Sequence, residues 1–272
     1  MLRDITLGQY YQTDSVIHRM DPRIKLVGTM VYMISLFLYK NIMAYLLAFL
    51  FLVIVIRVSK VPFRFMVKGL KAVLFLLLIT SVFNLFLTKG EPLVSIWKLT
   101  ITKEGLVNAV YIVIRLAFLI IGSSLMTLTT TPNQLTDGLE KILGPLKAIK
   151  VPVHEVAMMM SIALRFIPIL MEETDKIMKA QMARGADFEG GKLLDRAKAM
   201  VPLLVPLIIS AFRRANDLAM AMEARCYQGG EGRTKMKPLR YKRIDYMAYG
   251  AIALYLLAVI LLGRWFPLNL FS

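Results

Sequence analysis

The clearest chemical signal in the sequence comes from two arginines that close two similar segments. Arg184 lies in Gln-Met-Ala-Arg-Gly-Ala and Arg225, 41 residues later, lies in Met-Glu-Ala-Arg-Cys-Tyr; an aromatic residue and a Gly-Gly pair follow each. A guanidinium can bind a carboxylate with two parallel hydrogen bonds, and a neighbouring alanine lets another surface approach closely. A single arginine at a helix end can instead donate to free carbonyls and complement the helix dipole. Because the pattern occurs twice, we interpret it as a docking surface for two similar partners.

The sequence shows no catalytic or metal-binding pattern. His18 and His154 are the two histidines and Cys226 is the single cysteine, so a disulfide within the chain is excluded and a zinc site is not expected. The segment 186–193 resembles a phosphate-binding loop, but it lacks the first glycine, the hydroxyl residue after the lysine and a preceding apolar strand. We therefore expect a non-catalytic protein without a cofactor.

Two other charged features have structural interpretations. The acidic cluster at 172–175 is expected to be a solvated helix face, with two lysines one turn further on. Arg115 lies inside an apolar segment, where a cation costs a few kcal/mol and must face protein or water. Arg115 could make a polar contact inside the helix bundle or with a membrane partner. We favour a structural arginine bonded to backbone carbonyls or to Asn84 or Thr80.

The composition is that of a membrane protein. Of the 272 residues 57% are hydrophobic, the formal net charge is +16, and the mean hydropathy is +0.62. A soluble globule must cover itself with polar side chains, and a basic nucleic-acid-binding protein does not explain apolar runs such as 72–80 and 251–262. We expect a multi-pass membrane protein with its cations in cytoplasmic loops and no nucleic-acid partner.

Five apolar segments are candidate membrane helices. They lie at 24–39, 42–56, 70–87, 106–128 and 246–262. The first two are shorter than the about 20 residues of a typical span and can form one hairpin that turns at Asn41. Lysines and arginines cluster before the first, third and last segments, so the positive-inside rule predicts a cytoplasmic N-terminus, a cytoplasmic 132–245 region and an external C-terminus. The basic stretch at 233–243 is also expected to bind anionic lipid headgroups.

The 132–245 region is expected to be water-exposed helix. It contains 13 of the 18 aspartates and glutamates, yet apolar residues recur in it at helical spacing. Three amphipathic helices are predicted, from 132 towards 144, from 153 to 184 and from 192 to 225. A capping box at Thr131 and Gln134 marks the start of the first helix, and glycines after the second and third mark their ends. The fold class is all-α, with an N-terminal membrane domain (1–131), this cytoplasmic-side domain (132–245) and a C-terminal membrane helix (246–272).

Further motifs complete a resemblance to a known family. The segments 21–25, 128–132, 151–155 and 163–168, together with both Ala-Arg ends, resemble the transmembrane T component of energy-coupling factor (ECF) transporters, the EcfT and CbiQ-like family of ATP-driven importers of vitamins and transition-metal ions. The resemblance covers nearly the whole chain. It implies a prokaryotic cell-membrane protein with long coupling helices, two ATP-binding cassette ATPases as partners, and a small membrane subunit, the S component, that binds the substrate.

The resemblance also assigns the ATPase contacts. In the family, Ala-Arg-Gly sequences at the ends of the two coupling helices contact the ATPases, which here assigns Ala183, Arg184, Gly185, Ala224, Arg225 and Cys226. Cys226 stands where the family usually has glycine. The expected function is a scaffold that converts ATPase closure into movement of the S component. A self-contained secondary transporter and a membrane-embedded enzyme are the alternatives, but intramembrane carboxylates, inverted repeats and a nucleophile cluster are not evident.

Overall fold

The computed structural model describes residues 10–38, 41–88, 92–96, 99–186, 188, 190, 193–230, 236 and 238–265. Within them the α-helices are α1 Val16–Arg19, α2 Pro22–Leu38, α3 Ile42–Ser59, α4 Phe63–Leu87, α5 Lys103–Thr129, α6 Pro132–Ile142, α7 Val153–Ala183, α8 Leu193–Ala224 and α9 Arg243–Trp265. A 3₁₀ turn, Gly144–Ile149, follows α6. The predicted all-α class is confirmed. Between α4 and α5 the chain forms a small antiparallel hairpin, β1 Pro92–Ile96 and β2 Leu99–Thr102.

Several helices begin where the sequence predicts, because polar side chains cap them. Asp21 accepts the N–H two residues further on at 2.9 Å, and proline follows it as the first residue of α2. Asn41, at the predicted turn, accepts the N–H of the second residue of α3 at 3.0 Å. At the start of α6 the Thr131 hydroxyl accepts the Gln134 N–H at 3.3 Å, and the Gln134 side chain accepts the Thr131 N–H at 3.2 Å. The predicted capping box is confirmed.

The chain divides into two compact units. The first, here the bundle unit, comprises Gly8–Lys141 and Leu239–Ser272 and contains α1 to α5, nearly all of α6, and α9. The second, here the α7–α8 unit, covers Ile142–Pro238. In the bundle unit α6 packs on α2, since a Cβ added at Gly138 would lie 3.2 Å from Leu26. The predicted domain boundaries after 131 and 245 divide the membrane domains from the cytoplasmic-side domain, and they stay predictions.

The core of the bundle unit lies where α2, α3, α5 and α9 meet. Tyr255 stacks on Phe51 with 4.4 Å between ring centroids, and its hydroxyl lies 2.7 Å from that of Ser35. Gly122 allows α5 to approach α2, because a Cβ there would lie 2.8 Å from the ring of Tyr32. Many other apolar side chains of α2, α3 and α9 are exposed, as expected of helices surrounded by lipid.

Four helices in the described part of the chain are long and apolar enough to cross a membrane. They are α3, α5, α7 and α9, and α4 would be a fifth if its two halves, Phe63–Lys71 and Val73–Phe86, which meet at 57°, form one span. At 17 residues α2 is shorter than these. The sequence analysis placed α7 among the amphipathic helices, but its most apolar stretch has a mean hydropathy of 1.6. By length and composition, α7 therefore qualifies alongside the predicted spans.

Candidate functional site

The first Ala-Arg pair closes α7 with a Schellman motif, a helix end in which two backbone N–H groups bond back to earlier carbonyls. The Gly185 N–H donates to the Met182 carbonyl and the Ala186 N–H donates to the Gln181 carbonyl, both at 3.0 Å. Gly185 has a φ of +90°, in the region that glycine adopts most readily. Arg184 is thus the last residue before the chain reverses direction, and its side chain is exposed.

The second pair closes α8 with the same motif. The Cys226 N–H donates to the Glu223 carbonyl at 2.8 Å and the Tyr227 N–H donates to the Met222 carbonyl at 3.0 Å. Cys226 takes the left-handed position with a φ of +56°, which is strained for a residue that carries a Cβ. The prediction that Gly229-Gly230 stops this helix is wrong in its position. The helix ends at Ala224, and Cys226 does what Gly185 does in α7.

The two ends are therefore the same structure, not only the same letters. Each end contains three of the six residues assigned from the resemblance. The alanine is the last residue of the helix, the arginine is at the cap, and the third residue has a positive φ; all six residues are exposed. Of the segment after the first end, Phe188 and Gly190 are described, whereas 187, 189, 191 and 192 lie outside the described residues.

The guanidinium groups of Arg184 and Arg225 are available to a partner. Two carbonyls at each end already accept backbone N–H groups, those of Gln181 and Met182 in α7 and those of Met222 and Glu223 in α8. Within the described part of the chain, neither guanidinium makes a hydrogen bond or an ion pair. The alternative interpretation, in which each arginine bonds the free carbonyls of its own helix, does not describe these two ends. Each presents a cation that pairs with no carboxylate among the described residues and that stands beside a small side chain, a combination that suits an acidic surface.

The two helices that carry the ends contact each other through polar groups. Glu173 of α7 accepts hydrogen bonds from the Ser210 hydroxyl and from the Arg214 guanidinium of α8, the latter at 2.5 Å and 3.1 Å. The Gln181 side-chain amide donates to the Pro202 carbonyl at 3.3 Å. Since the later residue of α7 meets the earlier residue of α8, the helices run in opposite directions at their contact.

This arrangement sends the two arginines to opposite sides of the contact. Arg184 lies 11 residues beyond Glu173 along α7, and Arg225 lies 15 residues beyond Ser210 along α8. At about 1.5 Å per residue, the two arginines lie about 16 Å and 22 Å from the contact along their own helix axes.

The α8 helix also presents an unpartnered apolar face within its own unit. The α8 apolar stripe, which we define as Val201, Val205, Ile208 and Phe212, follows helical spacing, and each of its side chains is more than half exposed. On α7 the side chains of Val156, Met159 and Met160 are exposed as well. Exposed apolar surface of this kind marks an interaction site with protein or membrane.

The 21–25 motif has a structural role in the bundle unit. The Asp21 carboxylate accepts both Nε and Nη2 of Arg23, at 2.9 Å and 2.8 Å, and the guanidinium lies 3.9 Å from the centre of the Tyr241 ring. Burial raises the pKa of Asp21, but the hydrogen bonds from Arg23 outweigh burial and the pKa lies below 3.8. Lys25 donates to the Thr129 carbonyl at 2.8 Å, joining α2 to the end of α5.

Two sequence interpretations need correction. Arg115 is a structural arginine, but its partner is the Tyr45 hydroxyl at 2.7 Å, with the Phe37 ring 5.1 Å away, and not Asn84 or Thr80. In the acidic cluster at 172–175, Glu173 is not on a solvated face but is paired with α8. In the described part of the chain, no three His, Cys, Asp or Glu residues are grouped so that they could hold a metal ion.

Comparison with known proteins places these features in a family. A family model described as cobalt transport protein, CbiQ, matches residues 13–236. The chain is 54% identical over 266 residues to the energy-coupling factor transporter transmembrane protein EcfT of Clostridium kluyveri, covering 97% of this chain and 98% of that protein. It is 50% identical over 240 residues to the protein of the same name from Bacillus subtilis, covering 88% and 91%.

Proposed function

The chain belongs to the EcfT family of transmembrane proteins of energy-coupling factor transporters, and from this we propose that it is the non-catalytic scaffold of an ATP-driven importer. In this proposal, two ATPase subunits bind at Arg184 and Arg225. Their closure on ATP moves α7 and α8, and that movement shifts a membrane subunit that binds a vitamin or a transition-metal ion. The observation that carries the proposal is the shared backbone hydrogen-bond pattern of the two exposed helix ends.

Each helix end is suited to a groove that contains carboxylates. Ala183 and Ala224 add little bulk beside the arginines, so a partner backbone can approach, and a planar guanidinium can bind a carboxylate through two hydrogen bonds. Two matching ends fit two related ATPases. The ends differ at one position, Gly185 against Cys226, and this asymmetry supports two docking contacts of unequal strength.

The apolar surfaces give the substrate-binding subunit a place to bind. We assign its contacts to apolar surfaces on each unit taken by itself. These are the outward-facing side chains of the bundle unit and, in the α7–α8 unit, the α8 apolar stripe and the exposed methionines of α7, whose flexible thioether side chains tolerate a contact that slides. The N-terminus, α7 and α8 are on the cytoplasmic side in this proposal, as the positive-inside rule predicts. The exposed cations Arg240, Lys242 and Arg243 would then hold anionic lipid headgroups.

The test is reversal of both docking charges. The double variant Arg184→Glu and Arg225→Glu should insert into the membrane normally but lose co-purification of the ATPases, because glutamates would face the acidic grooves. Arg213→Glu is the matched control, an exposed arginine of α8 away from both ends, and it should keep the ATPases. Retention of the ATPases and of transport by the double variant would refute the proposal, and transport without any bound ATPase would favour a secondary transporter.

A further inference from the structure

The contact between α7 and α8 depends on polar groups more than on apolar packing. In α8 from residue 200 to 224 the one buried apolar side chain is Leu203. A cavity of about 370 Å³ lies against α7 beside Glu173 and is lined by Ile169, Ile177 and Arg214 among others. Where little apolar surface is buried, the polar pairs must determine how one helix lies against the other.

Glu173 uses both of its carboxylate oxygens across this contact. One oxygen accepts the Ser210 hydroxyl, and the other accepts Nε and Nη2 of Arg214. The three residues are partly buried, since the side chains of Glu173 and Arg214 keep 23% and 37% of their exposure. An ion pair at that exposure adds only a modest free energy. Its planar geometry nevertheless fixes which turn of α8 faces which turn of α7.

Gln181 makes the second polar contact, and a proline explains why it can. In a regular helix the Pro202 carbonyl would accept the N–H of residue 206, but residue 206 is proline and has none. The carbonyl is therefore free, and the Gln181 amide donates to it. Gln181 also lies in the last turn of α7, where its own carbonyl accepts the N–H groups of Arg184 and Ala186. One residue thus joins the Arg184 end to the middle of α8.

We propose that Glu173 and Gln181 are positioning residues that fix the register of α7 on α8, and with it the distance between Arg184 and Arg225. The reason for a fixed register rests on the proposed function, because two ATPases that move together need two docking points at a defined spacing. The register itself is a property of the α7–α8 unit and can be measured without any ATPase.

The experiment measures a distance between two spin labels in the purified chain in lipid nanodiscs. One label attaches to Cys226, the single cysteine of the sequence. The other attaches to a cysteine introduced by Lys179→Cys, at an exposed position about one turn before the end of α7. In an Arg214→Ala background the distance distribution should broaden or shift by about 5 Å, one helical turn. In an Arg213→Ala background, the adjacent and exposed arginine, it should not change.

Two further variants separate positioning from a general loss of structure. Glu173→Gln keeps the side-chain shape and should change the distribution in the same direction as Arg214→Ala. The exchange Glu173→Arg with Arg214→Glu should restore the original distribution. In the assembled transporter, Arg214→Ala should keep the ATPases bound but lower transport per ATP hydrolysed about tenfold, with recovery in the exchange variant.

An unchanged distance in both Arg214→Ala and Glu173→Gln would overturn the positioning role. Failure of the exchange variant to recover either readout would also overturn it. Failure of the docking proposal would look different, because the ATPases would then remain bound to the Arg184→Glu and Arg225→Glu variant while the spin-label distances behaved as expected.

Discussion

Replacing Asp245 tests how the bundle unit is held together across the whole chain. Asp245 lies in the first turn of α9 and is 1% exposed. One carboxylate oxygen accepts the Asp21 N–H at the start of α2 at 2.9 Å, and the other accepts the Lys242 N–H at the start of α9 at 2.6 Å. One side chain therefore satisfies the N-termini of two helices that are more than 200 residues apart in sequence.

The variant Asp245→Asn keeps the shape of the side chain but can accept only one of the two backbone hydrogen bonds. Its amide oxygen can accept one N–H, but its NH₂ group must then face the other, so either the buried Asp21 N–H or the part-buried Lys242 N–H loses its acceptor. A hydrogen bond to a charged acceptor contributes about 1.5–3 kcal/mol, and an unsatisfied buried donor costs about 1–3 kcal/mol. We expect a destabilisation of about 2–4 kcal/mol, which corresponds to a fall in melting temperature of about 5–10 °C for a protein of this size.

The assay is the fraction of purified protein that remains monodisperse on size-exclusion chromatography after heating in detergent. Asp14→Asn is the matched control, because Asp14 pairs with Arg19 at the surface and both side chains are more than half exposed. It should leave the melting temperature within experimental error. Equal melting temperatures for wild type and Asp245→Asn would refute the reasoning, as would an equal fall in both variants.

Three further predictions concern single side chains. Cys226→Gly should raise the free energy of unfolding by about 1 kcal/mol or less, because glycine adopts a positive φ without strain. Cys226→Ser keeps a Cβ and should not raise it. Burial lowers the pKa of His18 below 6.5, so the neutral ring is favoured in the folded state and stability should fall as the pH drops through that value. His18→Gln should flatten the melting-temperature profile between about pH 7.5 and 5.5. Tyr45→Phe removes the hydrogen-bond partner of Arg115 and should lower the free energy of unfolding by about 1–3 kcal/mol. Tyr111→Phe should lower it little, because the buried Tyr111 hydroxyl has no hydrogen-bond partner among the described residues.

Local sequence signals predicted the helices and most of their starts. The capping box at Thr131 and Gln134, the proline after Asp21 and the cap at Asn41 act within a few residues, so the sequence alone specifies them. The two Ala-Arg helix ends were also visible in the sequence as a repeated pattern. Their backbone geometry was not, because cysteine seldom takes a positive φ and the glycines at 229–230 were the more obvious stop.

Contacts between distant residues could not be predicted in the same way. Arg115 bonds to Tyr45, 70 residues away, and Glu173 bonds to Arg214, 41 residues away; several other polar residues would have served equally well on sequence grounds. One signal was available and was missed. Prolines at 202 and 206 are four residues apart, which leaves the first carbonyl without its helical donor and marks a point where another helix can bind.

In the proposed function the two exposed helix ends contact ATPases, and the single cysteine allows a direct test of this contact. Cys226 is exposed and lies next to Arg225, so a photoactivatable maleimide attached to it probes the immediate surroundings of the second end. After illumination of native membranes and purification of the chain, mass spectrometry should identify an ATP-binding subunit as the cross-linked protein, and Cys226→Ser should give no product. Adducts with membrane proteins or lipids alone, in samples where the ATPases still co-purify, would contradict the claim.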